Sequence, residues 1–289
     1  MTNLHRAAWA AFAGLLLFGA PSSVAQEAAP TPPPWQRGPM TAPIGDGLAE
    51  IEIDEDYVFL DAAGTRRFME LTENPVSGTE MATLAPIADE ANWFVVFEFN
   101  ETGYVSDEEK DQLDADAMID SIRTGTEAAN EERRKRGWQT MSIVGWHEEP
   151  HYDDLTNNLS WAIVGDSGGH QSINRIIKVL GRRGVMTVTL VAGPDELVSA
   201  IPLTNSLLAG YRYRAGSTYA EYVPGSDKLA EYGLTALVVG GGAAALVKSG
   251  LLARFWKPIA LGLAALGAGI KRFFFGGRSA EHDPEKPIG

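Results

Sequence analysis

The alternation of apolar and polar positions divides the chain into a mixed body between two apolar ends. In "AEIEID", Ile51 and Ile53 alternate with acids, and Tyr57-Val58-Phe59-Leu60 follows as a second strand signal. Ala62 to Leu71 has helical spacing and stops before the turn signal Asn74-Pro75. Asn92 to Phe99, "NWFVVFEF", is apolar at nearly every position, which predicts a strand buried on both faces. A helix is expected to start at Ser106 or Asp107 and to end at Gly137. Acids crowd its start and Arg133-Arg134-Lys135-Arg136 its end, as the helix dipole favours, with Met118, Ile119 and Ile122 as its apolar stripe. Strands are predicted again over Thr140–Trp146, Leu159–Val164, Ile173–Leu180 and Val185–Val191, the last two joined by Gly181-Arg182-Arg183-Gly184. Residues 194–209 read as a helix with Leu197, Ile201 and Leu208 on one face and Pro202 inside. Strands joined mostly by short connections, with a few helices, describe an α+β fold: a single domain over residues 44–228 with a largely antiparallel sheet.

The ends read differently. Residues 1–25 resemble a secretory leader: Arg6, an apolar run from Ala7 to Ala20, then small residues at Ser23 and Ala25 that suit cleavage before Gln26. An uncleaved membrane helix is the alternative, but the run falls short of the ~20 residues a bilayer requires. Residues 26–43 are rich in proline and read as an extended linker. Residues 229–275 hold two uncharged apolar runs, Gly233–Val247 and Pro258–Ile270. As helices each would extend only about 20–22 Å, against a hydrocarbon core of ~30 Å. Lys248, Arg254, Lys257, Lys271, Arg272 and Arg278 flank them, which favours a membrane anchor of hydrophobic helices over a buried soluble hairpin. An odd number of crossings keeps these basic flanks inside, and residues 276–289 form a polar tail.

Charge and composition narrow the function classes. With 24 basic and 38 acidic residues the formal net charge is −14. Because the tail is basic, the body carries the acid excess, and a nucleic-acid partner is not expected. The absence of cysteine excludes disulfides, thiolate catalysis and thiolate-bound metals.

The densest candidate chemistry is "GWHEEPHYDDLTNNLSWA", residues 145–162. His147 and His151 have the spacing that aligns two ligands on a helix, but Pro150 opposes a helix there, so a zinc site would have to be built from a loop with Asp153. Ser142 and Ser160 lie in predicted strands without a nucleophile-elbow motif. The acidic run after Ser106 lacks the ligand order and central glycine of a calcium loop. Gly181–Gly184 is followed by a strand, not the helix a phosphate cradle requires. The stretch is therefore read as strand, loop, strand, with Trp146, Tyr152 and Trp161 as amphipathic anchors and Trp146, His147, His151, Tyr152 and Asp153 as a candidate binding loop. No residue is assigned a catalytic role, and no metal or cofactor is implied.

Five stretches occur in one order: "NWFVVFEFNETGYVSDEE", "AANEERRKRG", the segment 145–162, "INRIIKVLGRRGV" and "SDKLAEYGLTALVVGG". In this the chain resembles the bacterial membrane-anchored proteins grouped as domain of unknown function 2167, over about residues 44–275. Gly145, Trp146, Pro150, Tyr152, Asp153, Leu159, Trp161 and Ala162 match that pattern and His147 does not. The resemblance implies an exported domain with a C-terminal anchor, and no reaction. The arrangement of strand hairpins and a helix near 195–209 resembles the PsbP-like and Mog1-like sandwiches in architecture only. The expectation is an envelope protein of the cytoplasmic (inner) membrane, its main domain facing the periplasm or cell exterior. It would be a non-catalytic module binding an envelope protein partner, attached to the membrane through its C-terminal segment. The alternatives are a hydrolase, metal-dependent or not, using residues 147–154, and a module that binds a lipid or small ligand in the sheet.

Overall fold

The computed structural model describes residues 33–88 and 90–238. Residues 1–32, with the expected leader, and residues 239–289, with most of the expected anchor and the expected polar tail, lie outside them. Among the described residues no helix is long and apolar enough to cross a membrane.

In chain order the strands are β1 (Gln36–Arg37), β2 (Met40–Ile44), β3 (Ala49–Ile53), β4 (Tyr57–Leu60), β5 (Glu80–Pro86), β6 (Phe94–Asn100), β7 (Ser142–Asp153), β8 (Asn158–Ser167), β9 (His170–Leu180), β10 (Val185–Ala192) and β11 (Tyr211–Tyr213). The helices are α1 (Ala62–Leu71), α2 (Ala115–Arg136), α3 (Leu197–Ala209) and α4 (Leu234–Val238). The pairings are antiparallel and build two sheets. One has eight strands in the order β1-β4-β5-β6-β10-β9-β8-β7, the other three in the order β11-β3-β2. The expected α+β fold with a large antiparallel sheet is present.

Alternation along the strands sends side chains to two cores. Ala82, Leu84, Val95, Phe97, Ala162, Met186, Val188 and Leu190 pack with Ala42, Ile44 and Ile51 of the small sheet and with Leu197 and Leu207 of α3. On the other face Leu159, Trp161, Ile163 and Ile176 pack with Met118 of α2 and with Leu234, Leu237 and Val238 of α4. The first ten residues of the stretch read as anchor are thus docked on this domain. Ala230 N donates to Tyr104 O (2.8 Å), and Leu234 is fully buried.

Several local elements depart from the sequence reading for identifiable reasons. Residues 36–43, read as linker, hold β1 and all but the last residue of β2. Pro43 is tolerated because β2 is an edge strand, and Ala42 and Ile44 on either side of it are buried. Helix α2 starts later than expected, at Asp114, whose carboxylate accepts from Ala117 N (3.0 Å), and ends as expected at Gly137 with φ 73°. Strand β5 carried too weak a pattern to be predicted. The two glycines of the β9–β10 turn are there for close approach: a Cβ on Gly184 would lie 2.2 Å from Asn100 O, and one on Gly181 would lie 2.8 Å from the Tyr213 ring. Tyr213 uses that space to join the sheets. Its hydroxyl accepts from Met186 N (3.0 Å) and donates to Val179 O (2.9 Å).

Two polar clamps fix α2, one to the segment entering β7 and one to the end of α1. Asn130 bonds both ways with the Met141 backbone, at 2.7 and 2.9 Å. Arg133 donates to Glu73 O (2.7 Å), Gln139 O (3.3 Å) and Asn74 Oδ1 (3.1 Å), tying the end of α1 to the end of α2.

Candidate functional site

Residues 147–153 are not a loop. They continue β7, which is the last strand of the large sheet, and the turn comes at 154–157. Pro150 sits at a register irregularity between Glu148 and His151 on this edge, where a missing donor costs little. The irregularities also scatter the five candidate residues. Trp146 and Tyr152 pack toward the core beneath α2. The Tyr152 hydroxyl donates to Asp107 (3.0 Å), and burial, with Asp107 beside it, pushes the phenol well above its ordinary range. His147 is exposed and has no hydrogen-bond or ion-pair partner among the described residues. Asp153 caps the turn by accepting from Leu155 N and Thr156 Oγ1 (2.8 Å each), which holds its carboxyl below the usual value. His151 is directed to Ser160, on the opposite face of the sheet from Trp146 and Tyr152. Among the described residues no group of three histidine or carboxylate side chains is arranged to hold a metal.

His151 does take part in a constellation that sequence spacing did not reveal. Its Nε2 lies 3.1 Å from Ser160 Oγ, and its Nδ1 lies 3.4 Å from Glu148 Oε1. Arg175 Nε stands 3.9 Å from the other Glu148 oxygen. Serine, imidazole and carboxylate in that order are the parts of a nucleophilic relay. The surroundings do not complete one. Ser160 is buried in β8, a strand paired along both edges, so its main-chain N–H groups are committed to the sheet and not free to receive an oxyanion. The nearest hollow, about 210 Å³ between Lys110, Leu113, Pro150, His151, Tyr152 and Asp154, is open and polar. The Lys110–Asp154 ion pair (2.5 Å) is part of its lining.

A larger groove lies on the helical face of the large sheet. Helix α1 covers β4 and β5, and α2 lies toward β7, which leaves β6, β10 and the start of β9 uncovered between the two helix ends. The groove has a volume of about 520 Å³ and is mainly apolar. Phe94, Val96 and Val191 form its floor, with Met69 and Met141 at the sides; Thr189, Ser172 and Asn174 add hydroxyl and amide groups, and Glu98 adds a carboxylate. That volume is in the range of small-ligand sites, and an apolar floor with a few polar groups is their usual composition.

Glu98 belongs to a polar row that crosses four strands. Glu80 on β5 pairs in register with Glu98 on β6, Glu98 with Thr187 on β10, and Thr187 with Lys178 on β9. Lys178 is buried and donates to Thr187 Oγ1 at 2.8 Å. Burial pushes its ammonium down to about 8, against the pull of Glu98. Burial would also raise Glu80, but Ser77 N (2.6 Å), Ser77 Oγ (2.8 Å) and Gly78 N (2.9 Å) all donate to it and hold it below its ordinary value. Glu98 is raised by burial, with Lys178 opposing and Glu80 adding to the shift. Thr79 Oγ1 donates to it at the long distance of 3.4 Å, and the Ser77 hydroxyl lies beside it as well. The sequence held a signal for this row: Glu98 is the only charge inside "NWFVVFEF", a strand predicted to be buried, and Lys178 sits inside "IIKVL", in another predicted strand.

A family model, protein of unknown function (DUF2167), matches residues 36–270. The chain belongs to this family. The family-wide match agrees with the five ordered motifs. A comparison with curated proteins finds no match. Among solved structures the chain is similar to cyanobacterial PsbP from Synechocystis sp. PCC 6803, at 12% identity and a TM-score of 0.40, covering 68% of this chain and 98% of that one. It is also similar to the Ran-binding protein Mog1p of Saccharomyces cerevisiae, at 9% identity and a TM-score of 0.32, covering 65% of this chain and 100% of that one. These are likenesses of architecture between distant chains.

Proposed function

We propose that this DUF2167 protein is a membrane-anchored envelope protein whose acidic domain faces the periplasm or cell exterior and binds a small molecule in the groove between α1 and α2. The observation that carries the binding reading is the groove itself: an apolar floor on two strands, β6 and β10, walled by helix ends that Arg133 ties together. Export and attachment rest on the leader-like residues 1–25 and on the apolar runs and basic flanks after Gly233. The domain works without catalysis in this reading.

The second reading, a hydrolase, is favoured by the Ser160–His151–Glu148 geometry alone. Hydrolysis of p-nitrophenyl butyrate separates the two. The intact chain and Ser160→Ala are expected to show the same rate. General-base catalysis is worth about 10²–10⁴-fold, so a loss of that size in Ser160→Ala, repeated in His151→Ala, would overturn the non-catalytic assignment.

A further inference from the structure

The groove and the buried polar row meet at one side chain. Glu98 lines the groove, while Glu80 and Lys178, at the two ends of the row, do not. Glu80 is held ionised by three donors, and Lys178 keeps its proton at neutral pH. An ionised Glu98 therefore gives the row two carboxylates against one ammonium. The unbalanced negative charge sits where it can be reached from the groove, in surroundings that screen it poorly. Arg133 on the groove wall does not cancel it. Arg133 is turned to the carbonyls of Glu73 and Gln139 and to the amide of Asn74, and Glu73 adds a second carboxylate at that end.

We propose that the groove takes an amphipathic organic cation, with its apolar body on Phe94, Val96 and Val191 and its protonated amine on Glu98. The proposal deepens the reading of the groove as a binding site and rests on it. A ligand ammonium would complete the charge balance of the row and supply the carboxylate with a charged donor, which the neutral Thr79 and Ser77 hydroxyls are not. The apolar floor alone would accept neutral and anionic molecules of the same body, so the sign preference is the distinguishing property.

The test uses three probes with one body: benzylammonium, benzyl alcohol and benzoate. Each is titrated at pH 7 into the intact chain in lipid nanodiscs, with the methyl groups of methionine and valine labelled for NMR. Met69, Met141, Val96 and Val191 report the groove. Benzylammonium is expected to shift these methyls with an affinity at least about tenfold tighter than benzoate, as a charge-assisted hydrogen bond supplies. Glu98→Gln should weaken benzylammonium by about the same factor and leave benzyl alcohol unchanged. The unchanged alcohol also shows that the variant groove is intact. Equal binding of the three probes, or a Glu98→Gln variant that holds benzylammonium undiminished, would overturn the cation proposal and leave the groove as a neutral apolar site. If none of the probes moves these methyls, the groove is not a binding site and the proposal falls with it.

Discussion

Lys178 makes the buried row measurable through stability. In the unfolded chain its amine titrates at its ordinary value of 10.5, and in the fold at about 8. Between those values the unfolded chain holds a proton that the folded chain has released. Stability therefore rises with pH across that window, as the fold is relieved of a buried charge. For a single site with these two values the gain between pH 8 and pH 10 is about 2 kcal/mol. The tyrosines act in the other direction. Burial raises the phenols of Tyr152, Tyr211, Tyr213 and Tyr219, so near and above pH 10 the unfolded chain sheds protons that the fold retains, and stability falls. Lys178→Met keeps the tyrosines and removes the amine, so the difference between the two proteins isolates the lysine. The assay is urea unfolding followed by tryptophan fluorescence at pH 8, 9 and 10. The stability of the native chain relative to Lys178→Met should climb by about 2 kcal/mol over that range. A constant difference would refute the claim that Lys178 is a desolvated ammonium held across the sheet from Glu98.

Three further outcomes are expected. Tyr213→Phe leaves Met186 N and Val179 O without their shared hydroxyl and should cost about 1–3 kcal/mol in urea unfolding; an unchanged midpoint would show that the two strands pair without it. Leu234→Ala should cost about 2–5 kcal/mol, because this fully buried side chain belongs to the core beneath α2; a surface-like loss below about 0.5 kcal/mol would place α4 outside the folding unit. N-terminal sequencing of the protein from the membrane fraction should begin at Gln26, and an intact Met1 would refute cleavage of the leader.

Much of the fold could be read from local pattern. The strands around Val95, Ile176 and Val188 announced themselves as apolar runs, and the end of α2 was fixed by Gly137. What failed was what depends on partners. Residues 40–43 look like linker because of Pro39 and Pro43, and only pairing with β3 makes them part of a strand. The segment 147–153 looks like a loop because of Pro150 and its acids, and only an edge position in the sheet allows it to stay extended. The sites follow the same rule. Two histidines four residues apart drew attention to a metal, yet His151 pairs with Ser160 and Glu148 and His147 with neither. The groove residues Phe94, Glu98, Ser172 and Thr189 come from three strands and are distant in sequence, so no local motif could gather them. The charged residues inside apolar strands, Glu98 and Lys178, were the one sequence feature that pointed there.

The native chain contains no cysteine, so a single engineered thiol can report the state of the groove in the envelope. Ser172→Cys places a near-isosteric thiol on the groove wall, and Val198→Cys places one on the outer surface of α3, where the native side chain is 83% exposed. Labelling with a membrane-impermeant maleimide is compared between intact spheroplasts and the purified, ligand-depleted protein. The account, which puts the domain outside the cytoplasm, predicts that Val198→Cys reacts equally fast in both. It predicts that Ser172→Cys is protected in the envelope and reacts freely after purification, because its groove is occupied in place. Equal labelling of Ser172→Cys in both settings would contradict ligand binding in the groove, and failure of Val198→Cys to label in spheroplasts would contradict the orientation of the domain.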